Sequence, residues 1–379
     1  MNILMLTHEK NLNGASKSMI NLIDNLIDKH KFYIVSSYID GPVIEELKKR
    51  NVVILNWNVN RWMRKIPNSK IKWFMIKFRW FFFDRFYSLY NAIMLKRKIK
   101  NFNIDIIHSN VSVINLGGLL SKVTGIPHVW YIREFGQEDF DMYPLLNYDK
   151  FYKTMDKQSD AIITVSKALK KKYAKHIKSK KLITIYNGIG NENIISDRVY
   201  AEKECYNFLI TGTIQEGKGQ EVAIKAVEEL VKRGVTNLKL YIAGRGDITK
   251  LKNIFPSQEK YVVFLGQVND MIMLRKKMDV ELVCSKSEAF GRVTVEAMMG
   301  GMLVIGANTG GTPELINNGE NGYLYEQGNP IALADIMQHV LNQPEKIKEL
   351  ATNASKQAIV KFSIERCAKE VNEVYNKLT

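Results

Sequence analysis

The chain has 379 residues, a length that predicts two domains, each able to build its own core. Its 46% hydrophobic and 25% charged residues suit a soluble globular chain, and no run of about 18 uncharged apolar residues exists to span a membrane. The formal net charge of +16 is uneven: residues 1–190 carry 32 Lys and Arg against 15 Asp and Glu, and residues 191–379 carry 23 against 24. A pI near 9.4 alone suggests nucleic acid, but the basic residues are not organised into a recognised binding module, so no nucleic-acid partner is expected. Cys205, Cys284 and Cys367 have no metal-ligand spacing and cannot pair evenly, which points to a reducing cytoplasm. MNILMLTHEK opens directly as a strand, with neither a basic leader region nor a small-residue cleavage site, so no signal peptide is expected.

Apolar strands alternate with amphipathic helices along the whole chain, the pattern of parallel sheets covered on both faces. In the first half, strands are predicted at Asn2–Leu6, Phe32–Ser36, Val52–Asn56, Asp105–His108, His128–Tyr131, Ala161–Thr164 and Leu182–Ile185. Helices are predicted at Ser16–Lys29, Val43–Arg50, Lys70–Lys100, Ser112–Val123 and Lys167–Lys175. The polar, aperiodic stretch Asn187–Cys205 reads as an interdomain linker. A second series of strands follows near Asn207–Thr211, Lys239–Ala243, Val262–Leu265, Val280–Cys284, Leu303–Ile305 and Gly322–Tyr325, with helices between and after them. The expected division is a first Rossmann-like domain over 1–190, a second over 191–362, and a last helix within 363–379 that returns to the first domain.

The segment from Arg61 to Lys100 sets 12 basic residues against one acid, Asp84. Within Lys70–Lys100, Trp73, Ile76, Trp80, Phe83, Tyr87, Tyr90 and Met94 recur at helical spacing, and Phe74, Phe78, Phe81 and Phe82 fall off that stripe. A basic helix with surplus aromatic residues is the pattern of an element lying on an anionic membrane surface; an aromatic stripe packed into a core is the competing reading.

Several turns are rich in glycine. GTIQEGKG, from Gly212 to Gly219, nearly matches a phosphate loop, but Gly219 stands where that loop needs a hydroxyl for Mg²⁺. THEKNLNGASKS has one glycine, Gly14, and AGRGD has Thr249 where a third glycine belongs, so neither fits a dinucleotide fingerprint. Asp139-Phe-Asp141 forms a D-x-D triplet that no strand directly precedes; it is read as a loop feature on the acceptor side, with no metal.

The most informative stretch is EAFGRVTVE, Glu288–Glu296, between a strand and a helix. Glu288 is expected on the loop and Glu296 about two helical turns on, roughly 12 Å apart at about 1.5 Å per residue. That span suits a nucleotide diphosphate sugar, with the diphosphate over the helix N-terminus, where amide groups and the dipole favour anions. The longer stretch EAFGRVTVEAMMGGMLVIGANTGGTPELINNGENGYLY resembles the signature region of the family 4 retaining glycosyltransferases, which have the GT-B fold. Glu288, Phe290, Gly291, Glu296, Ala297, Met298, Gly301, Gly310, Gly311, Pro313 and Glu314 stand in register with it.

The resemblance implies an α/β protein of GT-B architecture, with two Rossmann-like parallel-sheet domains facing a central cleft. The second would hold the donor and the first the acceptor. It implies a nucleotide-diphosphate sugar, with UDP-sugar favoured, as substrate, retention of anomeric configuration, and neither cofactor nor metal. Glu288 would orient the sugar and Glu296 the ribose, with Phe290, Gly291, Arg292, Gly266 and Val268 lining the donor site. Lys218 matches a family lysine that holds the diphosphate, but Thr213 replaces the arginine that accompanies it; Arg292, Arg245 or Arg133 is left to supply that charge. Gly14 would let the backbone approach the diphosphate. His108, in IDIIHSN, matches a family histidine beside the donor sugar, and REF at Arg133–Phe135 resembles a segment of relatives acting on cell-surface polysaccharides. Arg133, Glu134 and Asp139 are therefore acceptor-side candidates; for Arg133, a salt bridge to Glu134 or Glu138 is the competing reading. The implied acceptor is a saccharide, a lipid-linked sugar or an envelope polymer, reached from the cytoplasmic face of the membrane. A sugar-nucleotide-binding protein or epimerase on the same fold is the alternative.

Overall fold

The alternating apolar runs fold as two parallel sheets. The computed structural model describes residues 1–178, 180–200 and 203–379, which divide into two units: Met1–Gly188 with Ile364–Thr379, and Ile189–Ser363.

The first unit has seven parallel strands in the order β3-β2-β1-β5-β6-β8-β9. They are β1 Asn2–Thr7, β2 Lys31–Ser36, β3 Val53–Asn56, β5 Ile106–Ser109, β6 His128–Ile132, β8 Ala161–Thr164 and β9 Leu182–Thr184. Between them in the chain, β4 Met63–Lys65 and β7 Met142–Pro144 form a separate antiparallel pair. The central strand β1 pairs with β2 on one side and β5 on the other, so Met5 lies between Ile34 and His108. Its residues from Ile3 to Leu6 are fully buried, as expected of a strand covered on both faces. The order reverses beside β1, which sets a topological switch point at the carboxyl ends of β1 and β5. The C-terminal helix Ile364–Asn376 belongs to this unit and buries Val371 and Tyr375.

The stretch predicted as one helix over Lys70–Lys100 is three pieces: an α-helix Lys70–Arg79, a π-helical turn Trp80–Asp84 and an α-helix Arg85–Ile99. A π turn adds a residue to the helical repeat and so rotates everything that follows. At its first residue, Trp80 faces inward at 6% exposure; after it, the buried positions are Ser88, Asn91, Ala92, Leu95 and Ile99. The aromatic stripe is therefore split: Trp80 is a core residue, while Phe83, Tyr87 and Tyr90 stay exposed along with Phe74, Phe78, Phe81 and Phe82. The pattern also gave no warning of the helix Tyr148–Lys157 or of the β4–β7 pair.

The second unit has six parallel strands in the order β12-β11-β10-β13-β14-β15. They are β10 Tyr206–Thr211, β11 Leu238–Ala243, β12 Val262–Gly266, β13 Val280–Val283, β14 Leu303–Ala307 and β15 Tyr323–Tyr325. The chain leaves β10 toward β11 and β12, then returns to the other side as β13, so the switch point lies between β10 and β13. Within the stretch read as a linker, Arg198 is anchored to this unit, donating to the carbonyl oxygens of Arg275, Met278 and Gly300.

Candidate active site

In the second unit the chemistry gathers at the switch point, where α/β sheets hold ligands. The loop after β10 carries Lys218, and the loop after β13 carries Ser285 and Glu288. The Lys218 ammonium donates to Glu288 Oε1 at 2.6 Å, and Ser285 Oγ donates to the same oxygen at 2.6 Å. One backbone contact joins these two loops, Lys286 N donating to Gly217 O, and Gly311 N, in the loop after β14, donates to Glu288 O. Gly219 has φ +73°, and a Cβ there would lie 2.1 Å from the Cys284 carbonyl oxygen, so only glycine lets the loops close. This is the physical content of the glycine that spoils the phosphate-loop match.

The helix after Glu288 begins at Arg292, and no side chain caps its first amides. Glu296 is its fifth residue, about 6 Å along the axis from the start. The two-turn placement and the 12 Å helical separation are therefore corrected, because residues 288–291 are loop. Glu296 is held from two sides: Arg275 Nη2 donates to Oε2 at 2.9 Å and Arg292 Nη2 to Oε1 at 3.1 Å. Arg292 is thus engaged by a carboxylate and is a poor substitute for the missing phosphate-binding arginine.

Behind Glu296 lies a group that sequence reasoning missed. Glu281, in the middle of β13, is fully buried; it accepts from Thr211 Oγ1 at 2.5 Å and lies 3.9 Å from Arg275 Nε. Burial pushes its carboxyl up to about 7, against the opposing pull of Arg275. The signal was present: a lone Glu in the otherwise apolar strand VELV.

Thr213 is exposed, and its carbonyl accepts from Gln220. The neighbouring Ile214 N donates to Arg245 O at 2.9 Å, which brings exposed Arg245 beside this loop. Gly266, at the end of β12, accepts from Gly244 N at 2.7 Å, and Val268 follows it, half-buried. Phe290 is 3% exposed with its ring 5.8 Å from that of Phe362, so its side chain is core and only its backbone is left to meet a donor.

In the first unit, His108 is corrected. It is fully buried in β5, with Nδ1 2.6 Å from the Tyr375 hydroxyl of the C-terminal helix. Desolvation, with Arg133 and His128 nearby, keeps its pKa well below the ordinary value. Inside the sheet it cannot touch a sugar. The histidine at the sheet edge is His8, after β1, which lines a cavity of about 690 Å³ with Tyr38, Asn60, Arg61, Arg64 and Lys65. Its Nδ1 has no hydrogen-bond partner, and burial beside Arg61 lowers its pKa to about 3, so it is a neutral imidazole.

Gly14 starts the helix Gly14–Leu26 without a left-handed φ, and the Asn13 side chain already accepts from the amides of Ala15 and Ser16. Those amides are therefore not available to a diphosphate. Arg133 is 9% exposed; it donates to Asn110 and Asn187, and its guanidinium lies 3.8 Å over the Tyr131 ring. Glu138 pairs with Lys172 at 2.5 Å, not with Arg133. Glu134 is 5% exposed, accepts from Ser112 N and Oγ, and is pushed up to about 7 by burial. Asp139 takes the amides of Phe135 and Gly136 on its two oxygens, so it braces the turn instead of reaching outward. These three side chains shape the loop after β6, and none is presented as an open acceptor contact.

The family model "Glycosyltransferase Family 4" matches residues 12–192, and the model "Glycosyl transferases group 1" matches residues 193–357. An uncharacterized glycosyltransferase of Methanocaldococcus jannaschii is 29% identical over 378 residues, spanning 97% of this chain and 95% of its own. The capsular polysaccharide biosynthesis glycosyltransferase CapM of Staphylococcus aureus is 28% identical over 57% of this chain and 61% of its own. Among solved structures, Anabaena HepE in complex with UDP and glucose superimposes with TM-score 0.77 at 18% identity, covering 99% of each chain. A Rickettsia africae glycosyltransferase reaches TM-score 0.80 at 21% identity, over all of this chain and 98% of its own. With both family models matched end to end and two parallel-sheet units at these strand orders, the chain belongs to the family 4, group 1 glycosyltransferases and has the GT-B fold.

Proposed function

We propose that the protein transfers a sugar from a nucleotide-diphosphate donor, UDP-sugar foremost, to an acceptor hydroxyl of an envelope saccharide or lipid-linked sugar. The donor binds the second unit and the acceptor the first. The observation that carries this reading is the Lys218–Glu288 pair at the β10/β13 switch point, beside an uncapped helix N-terminus. A cation and helix amides suit a diphosphate, and a carboxylate suits sugar hydroxyls. HepE, a neighbour in fold, binds UDP and glucose, which supports the choice of nucleotide.

In this reading Lys218, the amides at the start of Arg292–Met299 and Arg245 stabilise charge on the departing diphosphate, the largest electrostatic contribution to such a transfer. Glu288 orients the sugar and Glu296, fixed by Arg275 and Arg292, binds the ribose. The acceptor proton passes to the diphosphate on the face from which it leaves, giving retention. Protein cations carry the neutralisation, so the chemistry calls for no metal. His8, in place of His108, serves the acceptor side. No helix among the described residues is long and apolar enough to cross a membrane. The exposed aromatic and basic surface of residues 70–99 supports peripheral attachment to the cytoplasmic face instead.

A thermal-shift screen of UDP-, GDP- and CMP-sugars tests the donor assignment, because a ligand bound only to the folded state raises its apparent stability. The expected result is a shift with a UDP-sugar that is lost in Lys218→Ala. No shift with any nucleotide sugar would end this reading.

A further inference from the structure

The first unit holds a second cavity. It encloses about 620 Å³ and is walled by Trp62, Trp80, Phe86, Leu89, Leu119 and Leu146. That volume is within the range of small-molecule sites, about 300–1,000 Å³. Its floor is rigid: Trp62 stacks on Trp130 with ring centroids 5.5 Å apart, touches Phe151, and donates Nε1–H to Ser112 O at 2.7 Å. Trp80 reaches it because the π turn begins there; π turns recur at functional sites.

The rim is cationic. Lys150, Lys153 and Lys157 recur at spacings of three and four along the helix Tyr148–Lys157, which puts them on one face. Arg85 and Lys122 complete the ring from two other helices. All five are exposed, and among the described residues none has an ion-pair partner; Asp84 pairs with Arg79, and Asp149, on the lysine helix itself, lies 3.8 Å from His176. Five like charges around an apolar well repel one another, and only an anion attached to a hydrocarbon satisfies both features together.

We infer that this cavity binds the hydrocarbon chain of a lipid phosphate, with the phosphate held by the Lys150–Lys153–Lys157 face. The inference rests on the reading that the first unit takes the acceptor, and it specifies that acceptor as lipid-linked. A chain segment joins the two cavities: Trp62 lines this one, while its neighbours Arg61 and Met63 line the cavity that holds His8. The chain bends at Trp62, and this short stretch contributes lining to both cavities. Likewise Ile76 lines the His8 cavity and Trp80, about one turn on, lines the apolar one. The two cavities thus share two chain segments, 61–63 and 76–80, as parts of their walls.

The test is isothermal titration of the full-length protein, without donor, using farnesyl phosphate, dihexanoyl-phosphatidylglycerol, farnesol and inorganic phosphate. The expected result is binding of a lipid phosphate at least about tenfold tighter than either farnesol or inorganic phosphate. Preference for farnesyl phosphate identifies an isoprenoid carrier, and preference for the phosphatidylglycerol a membrane phospholipid; either outcome supports the site. The triple variant Lys150→Ala/Lys153→Ala/Lys157→Ala and the cavity-filling Leu89→Trp should each weaken that binding at least about tenfold while leaving the UDP thermal shift intact. Absence of lipid-phosphate binding, equal binding of farnesol or inorganic phosphate, or binding indifferent to both variants would overturn the inference. Because UDP binding is read separately, failure of the donor assignment cannot be mistaken for failure of this one.

Discussion

The ammonium of Lys218 lies 2.6 Å from Oε1 of Glu288, joining two residues separated by 70 positions in sequence. The pair neutralises both groups at the head of the β10/β13 switch point. A donor that brings a diphosphate to Lys218 and hydroxyls to Glu288 exchanges this internal contact for two external ones. Glu288→Gln should therefore leave folding intact and lower transfer by at least about 10²-fold, because a misoriented sugar forfeits transition-state stabilisation. Radiolabelled-sugar transfer beside a thermal melt measures both; a wild-type rate in Glu288→Gln would remove Glu288 from the site.

The charge missing at Thr213 gives a second expectation. Lys218→Ala should weaken UDP binding, and Thr213→Arg should preserve or strengthen it. Arg245→Ala should cost affinity too, since the chain at Ile214 is bonded to Arg245 O. Titration of UDP into the three variants checks this, and unchanged affinity in both alanine variants would mean that the anion binds elsewhere.

Both expectations rest on residues legible before the fold was known, and the contrast with those that were not is instructive. Lys218, Glu288 and Glu296 were singled out because local stretches of sequence, GTIQEGKG and EAFGRVTVE, resemble family motifs, and a motif of contiguous residues can be read without the fold. The strands of both sheets were legible through apolar periodicity, to within a residue or two. His108 misled because a polar residue at a strand's end looks the same in sequence whether it faces solvent or a packed helix. Tyr375, its partner, is 267 positions away. Arg275 escaped because its significance is a contact, not a pattern, whereas Glu281 left a signal, a carboxylate within an apolar strand, that was not used. The π turn escaped because WFFFD offers no periodicity by which to detect one inserted residue.

Glu281 makes a prediction about pH. Its carboxyl is raised to about 7 in the folded protein, against 4.5 as the ordinary value. Below about pH 4.5 it is neutral in both states and its contribution is fully present; as pH rises toward 7 the unfolded chain releases the proton first, and that contribution is lost. Over this window the loss is on the order of 3 kcal/mol. Glu281→Gln has no proton to release, so its melting temperature should gain on wild type from pH 5 to about pH 7 and level off above it. The neighbours that act on Glu281, namely Arg275, Glu296 and Thr211, remain in both proteins, so the difference isolates one group. A constant difference between pH 5 and pH 7 would contradict the assignment.

His108 and His8 should behave as opposites. Tyr375→Phe leaves the buried His108 Nδ1 without a partner, at a cost of about 1–3 kcal/mol, and should lower stability without changing the turnover of the protein that remains folded. His8→Gln should leave stability and UDP binding near wild type and reduce transfer, with the effect in acceptor KM or kcat. Steady-state kinetics with denaturant melts separates them; a kinetic defect in Tyr375→Phe with normal stability would restore His108 to the chemistry.

The exposed aromatic surface makes the last prediction. Phe74, Phe78, Phe81, Phe82 and Phe83 are each about half exposed or more, and ring contacts join Phe74 to Phe78, Phe78 to Phe82 and Phe82 to Phe81, which makes an apolar face of these four. A soluble domain rarely leaves such a face bare unless something covers it. The flanking Lys70, Lys72, Lys77, Arg79 and Arg85 favour anionic lipid, each contributing about 1 kcal/mol near a charged surface. Trp80 is excluded from this surface by its burial, so the diagnostic variant is Phe78→Ser/Phe82→Ser/Phe83→Ser, which spares the core. In liposome flotation the wild type should rise with vesicles containing phosphatidylglycerol and not with pure phosphatidylcholine, and salt should weaken the association. The triple variant should stay at the bottom while still binding UDP. Equal flotation on neutral and anionic vesicles would eliminate the electrostatic part of the argument, and no flotation on either would leave this face to a protein partner.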